Sequence, residues 1–250
     1  MVKLQSARAF SMIELLVAIA IIVMLASLSM VGYSKYMQSA NKGKELHAAR
    51  VLMAGFHAHA ADHAGKIMKA MDNNPGQVLD KQGRPVMSHA AKRWPWRLAP
   101  YINYNMDMIM VNNQEAAPLH DAMYSYLVTV FPTMGLNGTF VGGKFGTIMA
   151  PDHPRGNKDM FCVTHIVQPH KPSQLIVFAS AKMHSAPHAG CFDVCAPGFG
   201  AVGEVDYKYA GAAVVAYFDG HVEMNDANQL KDMRRWSNLA AMQNDADWNF

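Results

Sequence analysis

His59 and His63 stand i, i+4 with Asp62 beside them, and His57 lies just upstream. On a helix that spacing puts two imidazoles on one face, as a zinc site requires. No Glu follows the first His as in the H-E-x-x-H arrangement, and no third ligand stands out. The other histidines, among them His89, His120, His153, His165, His170, His184 and His188, are scattered along the chain. The better reading is a polar face near a loop, with no metal or other cofactor. Cys191 and Cys195 enclose Phe192-Asp193-Val194, and Cys162 is distant. In an exported chain a Cys191–Cys195 disulfide is expected ahead of zinc shared with His184 or His188. A Cys162 bridge to either is equally allowed. Asp193, Glu204, Asp206 and Asp219 are oxygen donors that calcium could use, but no loop has the dense alternating Asp/Asn pattern. There is no G-x-S-x-G elbow, no P-loop and no dinucleotide fingerprint, and Asp152-His153 and Ser180 have no triad spacing. No catalytic residue is assigned, and the chain reads as not an enzyme.

The most informative charged residue is Glu14. It is the only charge in residues 10–30, an otherwise apolar run of about 20 residues, enough to cross a bilayer core of ~30 Å as a helix. A carboxylate at the centre of such a span costs roughly 2.5–3.5 kcal/mol, so Glu14 asks for a partner and reads as functional. Lys3 and Arg8 precede the run and should stay cytoplasmic, which sends the remainder to the far side. A cleaved secretory signal would have a shorter apolar region, about 7–15 residues.

Composition fits this uneven picture. Hydrophobic residues make up 51% of the 250, charged residues 16%, and the formal net charge is +3. The mean hydropathy of −0.02 averages one apolar segment with a moderately polar remainder. Disordered and collagen-like chains are excluded, and the charge is too mild and scattered for a nucleic-acid binder.

Elements must carry these residues. No Pro occurs between Met30 and Pro75, and Leu46, Ala49, Met53, Phe56, Ala60 and Ala64 recur at helical spacing. The helix should therefore run from about Phe10 to Ala64, with Lys42, Lys44, Glu45 and Arg50 on its wet face and Gly65 as its cap. Residues 72–95 read as a loop, and the Trp94-Pro95-Trp96 segment as an aromatic anchor in a small core. Strands are expected at 123–131, 144–149, 160–167 and 175–179, with Gly135, Gly138, Gly142, Gly143 and Gly146 in loops or bulges. Residues 212–224 read as a hairpin through Asp219-Gly220, with a type I′ turn. Asp226 and Gln229 form a capping box for a helix over 226–242, whose apolar face is Leu230, Met233, Trp236 and Leu239.

The run Ala9-Phe10-Ser11-Met12-Ile13-Glu14-Leu15-Leu16 and the apolar residues after it resemble the leader of type IV pilins and type II secretion pseudopilins. The resemblance implies cutting by prepilin peptidase between Ala9 and Phe10 and N-methylation of Phe10. The family has Gly before the cut where this chain has Ala9. It implies that Glu14 faces the terminal amine of a neighbouring subunit and sets axial register. It also implies an α+β, pilin-like fold, a long N-terminal helix with a membrane-spanning first half packed on a small antiparallel sheet with long loops. The expected division is a leader at 1–9, an assembly helix at 10–32, its amphipathic continuation at 33–65 and a periplasmic head at 66–250. Expected partners are prepilin peptidase, other pilin or pseudopilin subunits and inner-membrane lipid, with no nucleic acid.

Two further segments carry weaker resemblances to large bacterial prepilin-type proteins. One is Trp94 to Tyr101. The other is Asp219-Gly220-His221, which matches the end of a C-terminal His-x9-Asp-Gly signature, although Tyr209 stands where that signature has His. The implied function is a structural subunit of a type II secretion pseudopilus or type IV pilus-like filament. The alternative is a membrane-anchored envelope binding protein or hydrolase that only carries a pilin-like leader.

Overall fold

The structure is a computed structural model describing residues 11–111, 123–143, 162–186, 189–198 and 203–248. The chain divides into two compact units, residues 1–41 and 42–250. Helix α1 (Met12–Asp62) supplies residues 12–41 to the first and opens the second. The cleavage pair Ala9–Phe10, the expected strand at 144–149 and the start of that at 160–167 lie outside the described residues.

In the second unit α1 buries one stripe: Ala48 and Ala49, Leu52 and Met53, Phe56, and Ala60. The spacing is that of an amphipathic helix. Lys42, Lys44 and Arg50 are exposed as expected, but Glu45 is fully buried, a correction to its placement on the wet face. Position 45 lies one turn before Ala48 and Ala49, so geometry places it on the stripe whatever its chemistry. The helix ends where Ala64 turns left-handed (φ 52°) and the Gly65 N–H returns to the Ala60 carbonyl at 2.8 Å, the long bond of a Schellman close.

Short helices α2 (Ser88–Ala91) and α3 (Trp94–Leu98) follow. Trp94 is fully buried, which its indole N–H tolerates because it donates to the Phe192 carbonyl at 2.7 Å. The anchor reading of this segment describes what is seen.

The expected strand over 123–131 is instead helix α4 (Tyr124–Val130). Its β-branched and aromatic residues favour strands only weakly against context. Tyr124, Leu127, Val128 and Phe131 all pack on the core at i, i+3, i+4, i+7, a helical period. Residues 162–167 make only isolated bridges at Val163 and His165 rather than a strand.

The sheet is antiparallel, in the order β1 (Met134–Leu136), β2 (Ile176–Met183), β4 (Ala212–Tyr217), β5 (Val222–Asp226), with β3 (Gly203–Val205) paired to the end of β2. β1 passes through Gly135, expected in a loop or bulge. A Cβ there would stand 2.8 Å from the backbone of Asp193 and Val194, so the missing side chain admits that segment.

Along β4, Val214 and Ala216 join the core under α1, while Ala213, Val215 and Tyr217 join a second core on the other face. Burial on both sides explains why this strand reads as a continuous apolar run. A register shift between Ile176 and Phe178 makes β2 put both Val177 and Phe178 on the α1 side. The fold is thus α+β, a long N-terminal helix packed against a small antiparallel sheet.

The second face is covered by Leu230, Met233, Trp236 and Leu239, but not by one helix. Residues 229–231 and 233–235 form 3₁₀ turns and Asn238–Gln243 forms α5. The expected capping box does form: the Asp226 N–H donates to Gln229 Oε1, and the Gln229 N–H to Asp226 Oδ1, both at 2.9 Å. The helix then breaks because Asp232 and Ser237 each accept a backbone N–H from beyond them and start new turns. A strict +3 repeat is also the period of a 3₁₀ helix, where residues i and i+3 eclipse.

Candidate functional site

Residues 11–30 are the candidate assembly segment. Ser11 starts α1: its side-chain oxygen accepts the Ile13 N–H at 3.2 Å, and Glu14 Oε2 accepts the Ser11 N–H at 2.9 Å. Ser11 thus caps the second helical N–H while Glu14 makes the return arm of a capping box, which sets the carboxylate at the positive end of the helix. Glu14 therefore has a partner inside its own chain. The Ser-x-x-Glu spacing is the sequence signal for it, hidden beneath the larger question of a charge in an apolar run.

Around Glu14 and on to Met30 the helix is apolar on every side. Ile13, Leu16, Ile19, Ile22, Val23, Met24, Leu28 and Met30 are all more than half exposed. Ser27 and Ser29 turn their hydroxyls inward to the carbonyls of Met24 (2.8 Å) and Leu25 (2.7 Å), which leaves no loose donor in an apolar setting. α1 is long and apolar enough here to cross a membrane. A helix hydrophobic all round is stable in lipid or among other helices, not in water.

The Asp219-Gly220-His221 motif forms the β4–β5 turn, with Ala216 paired to Val222. Only Gly220 has positive φ (95°), so the turn is not type I′. The Gly220 N–H bonds the Tyr217 carbonyl at 2.8 Å and the Tyr217 N–H bonds the His221 carbonyl at 3.0 Å, a three-residue loop closed by a left-handed Gly. His221 stacks on Tyr217 (4.3 Å, 5°) and Asp219 Oδ1 accepts its backbone N–H at 3.1 Å and its Nδ1–H at 2.6 Å. Partial burial pushes the Asp219 carboxyl up, and the hydrogen bonds from His221 outweigh it, leaving the pKa below its ordinary value. From α1, His57 Nε2–H donates to the Phe218 carbonyl at 2.8 Å, tying helix to turn. These contacts account for the motif as a structural corner.

Cys191 and Cys195 are both buried, and Cys162 is partly so. The two sulfurs have different surroundings. Cys195 Sγ lies 3.5 Å from Thr139 Oγ1, whereas Cys191 Sγ faces Gly203, where a Cβ would meet it at 2.8 Å. Burial pushes the Cys162 thiol up to about 12. His59 and His63 stack face to face at 4.0 Å, and His63 Nδ1–H donates to the His59 carbonyl at 2.8 Å. Among the described residues no group of three His, Cys, Asp or Glu side chains could hold a metal ion.

Sequence reasoning missed the cluster around Glu45. Its Oε1 accepts the Ser180 hydroxyl, its Oε2 accepts the Tyr209 hydroxyl at 2.7 Å, and Lys208 Nζ lies 3.0 Å from Oε2. Burial first, and then the Glu45 charge, push the Tyr209 phenol far above its ordinary value. Tyr209, the residue standing where the C-terminal signature has His, thus holds the helix to the head.

The chain matches the family described as the prokaryotic N-terminal methylation motif over residues 4–30. That stretch contains Ala9, Phe10, the Ser11–Glu14 cap and the exposed apolar turns. The N-terminus therefore carries a prepilin-type leader. No curated protein and no solved structure matches the chain.

Proposed function

We propose that the chain is a structural, non-enzymatic prepilin-like subunit. Prepilin peptidase cuts it between Ala9 and Phe10 and methylates Phe10. Residues 10–32 then hold it in the bacterial inner membrane, with a cytoplasmic N-terminus and the head in the periplasm. The apolar helix later packs with copies or relatives into a type II secretion pseudopilus or type IV pilus-like filament. There Glu14 leaves the Ser11 N–H and meets the Phe10 amine of the next subunit, a charge pair favourable in low dielectric only when matched. The observation that carries this reading is the matched motif lying on a helix apolar on all sides and headed by one carboxylate.

Mass spectrometry of the mature chain tests the processing: it should begin with methylated Phe10, and a start near Met30 would overturn the leader. Glu14→Ala should insert and be cleaved yet fail to enter filaments. Normal assembly of that variant would remove the register role.

A further inference from the structure

A cavity of about 310 Å³ opens in the head beside the last turns of α1. Its wall includes His59, Val78, Trp96, Arg97, Tyr101 and Tyr104. The volume is at the lower end of the range for small-molecule sites, and aromatic walls with a few polar groups are their usual lining.

Among the described residues, Arg97 is the one Lys or Arg in this wall, and no Asp or Glu lines it. Arg97 spends one terminal nitrogen on two backbone carbonyls, Lys69 at 2.6 Å and Lys92 at 3.2 Å, and no carboxylate pairs with it among the described residues. Burial lowers its pKa to about 10, with the Asp72 charge opposing, so it remains a cation at neutral pH. Arg97 is half-buried, and a partly desolvated guanidinium makes its strong hydrogen bonds to carboxylates. His59 is held to about 4 by burial, by His63 and by Arg97 against Asp62, so it is neutral and adds no competing charge. Burial first, and then the Asp62 carboxylate, push the Tyr101 phenol above its ordinary value, so it too is neutral.

We propose that this cavity is a binding site for a small organic anion with a flat apolar body, of which an aromatic carboxylate is the simplest member. The acid group pairs with Arg97 and the ring lies against Trp96, Tyr101 and Tyr104. The site would give the head a ligand of its own, beyond any role of the N-terminal helix in assembly.

Calorimetric titration of the full chain in lipid nanodiscs with 4-hydroxyphenylacetate tests the proposal. Saturable binding is expected. 4-Hydroxyphenylacetamide, with the same shape and no charge, should bind about tenfold more weakly or worse, the loss expected when a charge-assisted pair is removed. Val78→Trp should fill the space and abolish binding with the charge of Arg97 retained, and Arg97→Gln should reproduce the loss of acid preference. Thermal melting of each variant checks that the head is folded, and if Arg97→Gln unfolds, the amide comparison and Val78→Trp decide. Equal affinity for acid and amide, undiminished binding to Val78→Trp, or no saturable binding to the native chain would each overturn the site.

Discussion

Glu45 brings a carboxylate into the seam between α1 and the sheet, where two hydroxyls and one ammonium reach it. Carrying a charge out of water costs several kcal/mol, and only a full set of partners offsets that. Here the set is complete on the acid side, while Lys208 keeps part of its surface in water. Glu45→Ala would leave the Tyr209 hydroxyl and the Lys208 ammonium facing a cavity. That should cost about 3 kcal/mol of head stability, as the breaking of buried pairs does. Tyr209→Phe removes one bond to a charged acceptor and should cost about 1.5–3 kcal/mol. Urea unfolding followed by tryptophan fluorescence checks both, and the double variant should lose less than the sum because the two residues share one interaction.

At the scale of elements, the β4–β5 turn shows local chemistry deciding conformation. Gly220 sits at φ 95°, a region that costs an L-residue roughly 1–2 kcal/mol. Its absent Cβ would meet only His57 Cε1, at an ordinary 3.7 Å. Gly220→Ala should therefore destabilise the head by about that amount through backbone strain alone, with little repacking. Asp219→Ala, at ordinary φ, should cost less, and a larger loss there would show the His221 contact to matter more than the turn.

The hairpin and the long helix were legible because their signals are local: a dipeptide between apolar runs, and a stripe without proline. α4 was not, since Tyr124–Val130 satisfies both a β-propensity and a helical period, and packing on α2, α3 and the core decides. The 229–243 segment was legible in its buried face but not in its backbone, because the +3 spacing suits two kinds of helix. At the candidate sites, Glu14 announces itself as a lone charge. Glu45 and Arg97 depend on residues far along the chain, which no spacing reveals.

For the whole molecule the decisive quantity is apolar surface without a partner. The head resolves its own: the sheet is covered on one face by α1 and on the other by Leu230, Met233, Trp236 and Leu239. Residues 12–30 bury almost nothing within the chain. Each large aliphatic side chain removed from water stabilises by roughly 1.5–3 kcal/mol, so a run of them favours burial of the segment in lipid. The anchor should accordingly be sensitive to charge by depth. Ile22→Arg places a cation near the middle of the apolar run, where insertion costs about 2.5–3.5 kcal/mol more. Tyr33→Arg places the same group past its end, where a long cationic side chain reaches the interface. Carbonate extraction of membranes should release a substantial fraction of the Ile22→Arg chain and leave Tyr33→Arg in the pellet with the native protein. If Ile22→Arg stayed wholly membrane-bound, residues 10–32 would not be the anchor. If both variants were released, the spanning segment would extend beyond its expected end.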